Sequence, residues 1–409
     1  MNIAKRAYHA AIKLGTTKGA ERSRAVLAMA RALKCSFDDI LEANTLDLEA
    51  SREMAVPELI LDWLKLTPSR LQATVSLLER LGELSDPLRR LRTADYQQED
   101  SQSYTQLMPL GVIGFIYEAL PELGAIAAGF CLKTGNSLIL KGSTEASHSN
   151  RAIAEILQTA ILDAGLPSGC VELITAEHGT SIRDLVTQED YLSLVIPYGR
   201  SSLIQQVVRQ ATCPVLKSAM GNCYLYWSLN GSLEMVRWMI LDSHESEPDP
   251  VNAIEKVLIH RQSLPSSLST LWNSLKDRGF QLRGDAELVQ AFPQLQLVQD
   301  EEWGTPYLNK TIAFKLVDTL DSAIAWINQY SSSHADAIAT ESYQESRQFA
   351  LGVNSASTYI NASPRFARNS SRGDAVFLGM SNQRGHRRGF ISLETLTTVK
   401  HIIQGNGRF

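Results

Sequence analysis

Apolar residues along this 409-residue chain recur with two different periods. Over the first hundred residues the period is helical: after Thr67 and Pro68, an N-cap and N1 pair, Leu71, Val75 and Leu78 fall at i, i+4 and i+7 on one face. From Val112 the pattern changes. Short apolar runs (Val112 to Tyr117, Ser137 to Leu140, Val171 to Ile174, Leu192 to Ile196, Pro214 to Leu216) alternate with helical or turn-rich segments, which predicts a βαβ series. The clearest crossover helix follows Glu145, where Ile153, Ile156, Leu157, Ala160, Ile161 and Ala164 keep one stripe toward a sheet and Gly165 and Pro167 stop it. A second alternation begins near Ala253 and runs through Ile312 to Leu316 and Asp336 to Ala339, so another α/β domain is expected. The acidic, proline-rich stretch from His244 to Pro250 lies near that boundary.

Composition narrows the class without naming a chemistry. Hydrophobic residues are 44% and charged residues 20%, which excludes disorder, coiled coil and collagen. Acidic residues outnumber basic ones by 44 to 39, so the net charge of −5 argues against nucleic acid or an anionic membrane as partner. The longest apolar stretch, Leu123 to Leu132, is about half of what crossing a bilayer requires. Lys5, Arg6 and Lys13 interrupt any apolar segment of signal-peptide type, and a cytoplasmic protein is expected. Five scattered cysteines (Cys35, Cys131, Cys170, Cys213, Cys223), with no CxxC pair, predict neither a disulfide framework nor a metal site.

No GxGxxG, GxxxxGK[ST] or HExxH motif occurs. The informative stretch is PLGVIGFIYEALPE (Pro109 to Glu122) followed by CLKTGNSLILKGSTEASHSN (Cys131 to Asn150). A strand ending in Lys141-Gly142-Ser143 just before a helix sets a cation, a flexible backbone and free N–H groups where an anion binds. Two readings of Lys141 stand: a phosphate partner, or a solvated strand-end lysine beside a turn glycine. His260 and His386 have no ligand partner at metal spacing and read as structural histidines. Six arginines between Arg365 and Arg388 read as a segment for a phosphate-bearing ligand, less plausibly for RNA, or as a solvated loop closing the mouth of a site.

With LPSGCVELI (Leu166 to Ile174), NAIEKVLIH (Asn252 to His260), HADAIAT (His334 to Thr340), YINASPRF (Tyr359 to Phe366), SLETLTTVKHIIQGNG (Ser392 to Gly407) and EANTLDLEASRE (Glu42 to Glu53), these segments resemble the γ-glutamyl phosphate reductases of the aldehyde dehydrogenase superfamily, in order along nearly the whole chain. The resemblance implies two Rossmann-like α/β domains plus a small β extension for oligomerisation. A cofactor domain would span 1–230, with a strand extension near 95–110 and a return of the chain after about 360. A catalytic domain would span 231–358, and 359–409 would complete the cofactor domain and the extension. It implies NADPH-dependent reduction of L-glutamyl 5-phosphate to L-glutamate 5-semialdehyde in proline biosynthesis, through a thioester on a cysteine that hydride then reduces. A homo-oligomer is implied, and glutamate 5-kinase is a candidate partner. Lys141, Gly142, Ser143 and Glu145 would line the ribose and 2′-phosphate region, with Pro197 and Gly199 in a turn near the cofactor. Asn361 and Arg365 would lie near the substrate; for Asn361 a strand-end turn is the competing reading.

The chain departs from this family where the chemistry is expected. The nucleophile of the family's Val-Cys-Asn-Ala stretch falls on Val251, ahead of Asn252, and an isopropyl group cannot form a thioester. Glu122 stands where an asparagine amide would donate to the oxyanion. Tyr198, Ser218, Met220, Phe377 and Phe390 replace arginine, histidine, aspartate, glutamate and proline of the family pattern. Cys223 reads as a small buried strand residue rather than a substitute thiol. Three readings follow: a working reductase, a non-catalytic paralogue that keeps the scaffold for nucleotide or protein binding, or an enzyme that passes hydride directly with Glu122 or Tyr117 as proton donor.

Overall fold

A computed structural model describes residues 3–93, 101–175, 179–245, 251–263, 265–370, 375–385 and 387–405. Pro250, His386, most of the acidic stretch after His244 and the first residues of the expected strand extension lie outside the described residues. The chain forms two units: Met1–Ser218 with Arg368–Gly379 and Phe390–Phe409, and Ala219–Ala367 with Met380–Gly389.

The first unit opens with five helices, α1 (Ile3–Thr16), α2 (Gly19–Cys35), α3 (Phe37–Glu53), α4 (Glu58–Leu64) and α5 (Pro68–Glu83). The predicted cap of α5 is present: Thr67 Oγ1 accepts from Arg70 N at 3.2 Å. Then come β1 (Leu91–Thr93), β2 (Ser101–Pro109), β3 (Val112–Tyr117), α6 (Glu122–Lys133), β4 (Ser137–Gly142), α7 (Ser147–Asp163), β5 (Val171–Leu173), α8 (Ile182–Val186), β6 (Leu192–Gly199), α9 (Ser201–Gln210) and β7 (Ser218–Ala219). Strands order as β5-β4-β3-β6-β7, and the β5-β4, β4-β3 and β3-β6 pairs are parallel. Apolar on every side, α6 is buried on every side, including Glu122 and Lys133 at its ends. On the sheet, Ala4, Ala7 and Ala11 of α1 pack with Val112, Ile116 and Ile139. The run from Pro214 to Leu216 makes only an isolated parallel bridge, Val195↔Val215, because Pro214 has no N–H with which to extend a ladder.

The second unit carries β8 (Cys223–Trp227), α10 (Leu233–Ser243), β9 (Ile254–His260), α11 (Pro265–Lys276), β10 (Gln281–Gly284), α12 (Ala286–Ala291), β11 (Gln296–Leu297), β12 (Thr311–Val317), α13 (Leu320–Tyr330), β13 (Ala335–Ala339), α14 (Tyr343–Gly352) and β14 (Ser357–Ile360). They build a seven-stranded parallel sheet, β11-β10-β12-β9-β8-β13-β14. Period-2 alternation sorts its two faces. Leu225 and Trp227 join Met239, Leu271 and Trp272 on one side, whereas Tyr224 and Tyr226 join Ala323, Ile327 and Phe349 on the other.

A short ribbon, β15 (Gly379–Ser381) and β16 (Gly389–Ile391), precedes the last strand, β17 (Thr397–Gly405). Strand β17 pairs antiparallel with β2 from Thr397↔Pro109 to Gly405↔Ser101, and β1 flanks β2 on its other side.

Candidate active site

Parallel sheets offer ligands the carboxyl ends of their strands, and β4 ends there in Lys141 and Gly142. A cavity of about 400 Å³ lies at this end of the first unit, lined by Lys141, Gly142, Ser143 and Glu145 together with Glu118 and Arg200. Lys141 is half-buried and donates from Nζ to the Thr180 carbonyl at 2.9 Å. Burial lowers its pKa, and Asp184 partly restores it. A Cβ on Gly142 would come within 2.1 Å of Asn150 Nδ2, so backbone alone fits there. Asn150 Oδ1 in turn accepts from the Tyr117 hydroxyl at 2.9 Å. Burial first, and the nearby Glu122 charge second, push the Tyr117 pKa far up, so this hydroxyl holds its proton.

Ser143 Oγ is buried without a hydrogen-bond partner. An orphaned hydroxyl, a half-buried ammonium and a glycine that admits close approach form a donor set that fits a phosphorylated nucleotide. Lys141, Gly142 and Ser143 would hold it. Pro197 and Gly199 do not line this cavity. Pro197 is buried in β6 opposite Ile116, and Gly199 (φ +150°) passes beneath Glu118, where a Cβ would lie 2.6 Å from Oε2. Glu118 Oε2 accepts from Arg200 N at 2.8 Å and Oε1 from Arg200 Nε at 3.0 Å. Sequence reasoning missed this pair, because no local spacing links residues 82 apart.

In the second unit Val251 and Asn252 are each 1% exposed. Both Asn252 Nδ2 and Oδ1 are buried without a partner. The backbone of Val251 is close-packed: a Cβ on Gly221 would fall 1.8 Å from its carbonyl oxygen. Cys223 Sγ lies 3.9 Å from the same oxygen. That thiol is fully buried, and burial, helped by the charge of Asp336, raises its pKa well above the ordinary value. Three residues beyond Asn252, the buried Glu255 accepts from the backbone N–H groups of Tyr307 and Leu308 at 2.6 and 2.7 Å, which anchors β9 to the loop before β12.

Asn361 adopts φ +51° at the end of β14, with Oδ1 accepting from Thr340 N at 2.9 Å and Nδ2 donating to Thr340 O at 2.7 Å. Its amide thus clasps a strand end. Arg365 donates to the Glu245 carbonyl at 2.8 Å and lies 3.6 Å from Asp242.

Glu122 opens α6 and is buried in an ion pair with Arg70, whose Nε donates to Oε1 at 3.2 Å. Glu122 Oε2 has no partner. Arg70 also donates to the Trp63 carbonyl at 3.0 Å. The other departures are packing elements. Tyr198, 1% exposed, accepts from Arg368 Nη2 at 2.5 Å, and a Cβ on Gly379 would meet its ring at 2.6 Å and Ser218 Oγ at 2.8 Å. Met220 is buried. Phe377 and Phe390 stack with centroids 4.5 Å apart, so two residues far apart in the chain form one contact. Among the described residues no group of three His, Cys, Asp or Glu side chains could hold a metal, and no helix is long and apolar enough to cross a membrane.

The sequence profile of the aldehyde dehydrogenase family matches residues 1–221. The chain is 56% identical over 403 residues to Gamma-glutamyl phosphate reductase 2 of Synechocystis sp., covering 98% of this chain and 96% of that one. It is 40% identical over 405 residues to Gamma-glutamyl phosphate reductase of Gloeobacter violaceus, covering 99% and 96%. The crystal structure of Gamma-glutamyl phosphate reductase from Thermotoga maritima superposes with a TM-score of 0.90 at 31% identity, covering 100% of this chain and 98% of that one. The chain has the aldehyde dehydrogenase-like α/β fold and belongs to the γ-glutamyl phosphate reductase family.

Proposed function

We propose that this chain keeps the γ-glutamyl phosphate reductase scaffold and a phosphorylated-nucleotide site, but is impaired in reducing L-glutamyl 5-phosphate to L-glutamate 5-semialdehyde, because its thioester route is closed at Val251. The first unit would bind NADPH, the second would carry the acyl chemistry, and the β2–β17 ribbon would serve assembly. The nicotinamide, when bound, would supply hydride. Lys141 and the Gly142-Ser143 backbone would hold the cofactor's phosphate.

The carrying observation is the buried isopropyl group of Val251, with a partnerless Asn252 amide beside it. The amide is a buried polar group next to the position that the resemblance gives to the nucleophile, and the side chain at that position supplies no electrons for attack. The Arg70–Glu122 pair, the Tyr198 contacts and the Phe377–Phe390 stack favour a second, related reading in which the protein binds without turning over. These side chains are taken up by an internal ion pair, a hydrogen bond and ring stacking. Direct hydride transfer is less well supported, since Glu122 Oε1 is engaged by Arg70 and Tyr117 holds its proton.

The test supplies glutamate semialdehyde, phosphate and NADP and follows NADPH, beside calorimetric titration of NADPH. Binding with background turnover is expected. Val251→Cys should raise turnover by about tenfold or more, because nucleophiles carry large factors in rate. Wild-type turnover equal to that of the variant, and lost in Cys223→Ser, would show that the neighbouring thiol substitutes and would discard the proposal.

A further inference from the structure

We propose that Glu118 is a resident competitor of the nucleotide phosphate: its carboxylate holds Arg200 at the ligand crevice of the first sheet and keeps the affinity for phosphorylated ligands low until the two part. The inference rests on the nucleotide reading of the cavity beside Lys141. Topology picks out the place. In the order β5-β4-β3-β6-β7, the chain leaves β3 for β4 on one side and later returns to β6 on the other. The crevice outside the carboxyl ends of β3 and β6 is therefore the switch point at which parallel sheets take ligands. Glu118 directly follows β3 and Arg200 directly follows β6, with Tyr117 opposite Tyr198 just before them. Both line the cavity of about 400 Å³ together with Lys141, Gly142 and Ser143.

At this point the chain supplies an anion of its own. Glu118 is 9% exposed, and three donors of one residue converge on it: Oε2 accepts from Arg200 N at 2.8 Å, Oε1 accepts from Arg200 Nε at 3.0 Å, and Nη2 lies 3.0 Å from Oε1. Gly199 lacks the Cβ that would strike Oε2, so backbone packs directly against the carboxylate. Because Arg200 leads into α9, the same carboxylate also meets the positive end of that helix. A phosphate oxygen asks for these same donors, and a guanidinium fork engaged by one anion is not offered to another.

Charge points the same way. The described lining of the cavity carries Lys141 and Arg200 against Glu118 and Glu145, so its charges cancel and it presents no net attraction to a phosphate. Lys141 Nζ is itself held by the Thr180 carbonyl. The Arg200 side chain is 42% exposed, against 11% for Glu118, so the guanidinium can turn from the carboxylate to a ligand without unpacking the core. Binding is thus an exchange of partners at Arg200, and Glu118 sets its cost.

Calorimetric titration of the full chain with NADPH, ADP and adenosine tests this. Glu118→Gln keeps the shape of the side chain and removes its charge. It should tighten NADPH and ADP by about tenfold, the factor expected if Glu118 leaves Arg200 about one-tenth of the time, and should leave adenosine, which has no phosphate, unchanged. A carboxylate that merely braced the fold would, on removal, weaken all three ligands together. Arg200→Met, at an exposed side chain, should weaken ADP severalfold and again spare adenosine, and this arm stands even if Glu118→Gln fails to fold. ADP binding that is equal or weaker in Glu118→Gln, a tightening that adenosine shares, or ADP binding unchanged in Arg200→Met each overturns the proposal. Failure of both the wild type and Glu118→Gln to bind NADPH or ADP would discard the nucleotide reading itself, and this inference with it.

Discussion

At the scale of single residues, the Arg70–Glu122 pair shows how a buried carboxylate at the start of α6 is held in place. Both side chains are buried, at 4% and 8% exposure, so removing one strands the other. Glu122→Asn, which would restore an oxyanion donor if the resemblance holds at this position, should therefore lower unfolding free energy by about 3–5 kcal/mol in urea titration. A loss under 1 kcal/mol would mean that Arg70 finds other acceptors. Val251, Glu122 and the Lys141-Gly142-Ser143 turn stood out as local strings set against a family pattern. Arg70, Asn150 and the Glu118–Arg200 pair did not, because each contributes through a partner 33 to 82 residues away. Phe377 and Phe390 stood apart in the sequence, and only the structure brings their rings together.

At the scale of elements, the start of β13 carries two buried titrating groups whose effects on stability oppose. His334 is driven down to about 4 by burial, chiefly, and Asp336 is driven up to about 6 by burial against three hydrogen bonds. The histidine's contribution is present above its unfolded pKa near 6.5 and is lost as pH falls toward 4. The aspartate's is present below its unfolded pKa near 3.8 and is lost as pH rises through 6. Relative to wild type, His334→Gln should thus gain stability as pH falls from 7 to 4.5, by up to about 3 kcal/mol, and Asp336→Asn should gain as pH rises from 4.5 to 7. Thermal melts at both pH values read the two signs, and parallel curves for both variants would refute the assignment. The strands themselves were legible wherever alternation or apolar runs were uninterrupted, as in β3, β9, β12 and β13. Pro214 to Leu216 misled because hydrophobicity cannot register a missing N–H.

For the molecule as a whole, the long β2–β17 ribbon raises the question of assembly. The sheet order puts β17 at an edge, where Val399 and Ile403, four residues apart on one face, are 45% and 59% exposed. Exposed apolar edge strands are covered or they aggregate. Val399→Lys with Ile403→Lys should shift the protein to a smaller species in size-exclusion chromatography with light scattering. A wild-type chain already monomeric at micromolar concentration would remove that expectation. Net charge and composition, in contrast, told only what partners to disfavour.

Asn252 bears on history. An amide sealed from water with neither end bonded weakens the native state by about 1–3 kcal/mol, a burden that drift toward alanine or leucine would lift. If Val251 replaces a thiol, as proposed, the retention of this amide means either that the replacement is recent on an evolutionary clock, or that selection still prizes an acceptor's company there. On that reading, lineages descended from this chain should erase the amide, unless some acyl group still calls on it.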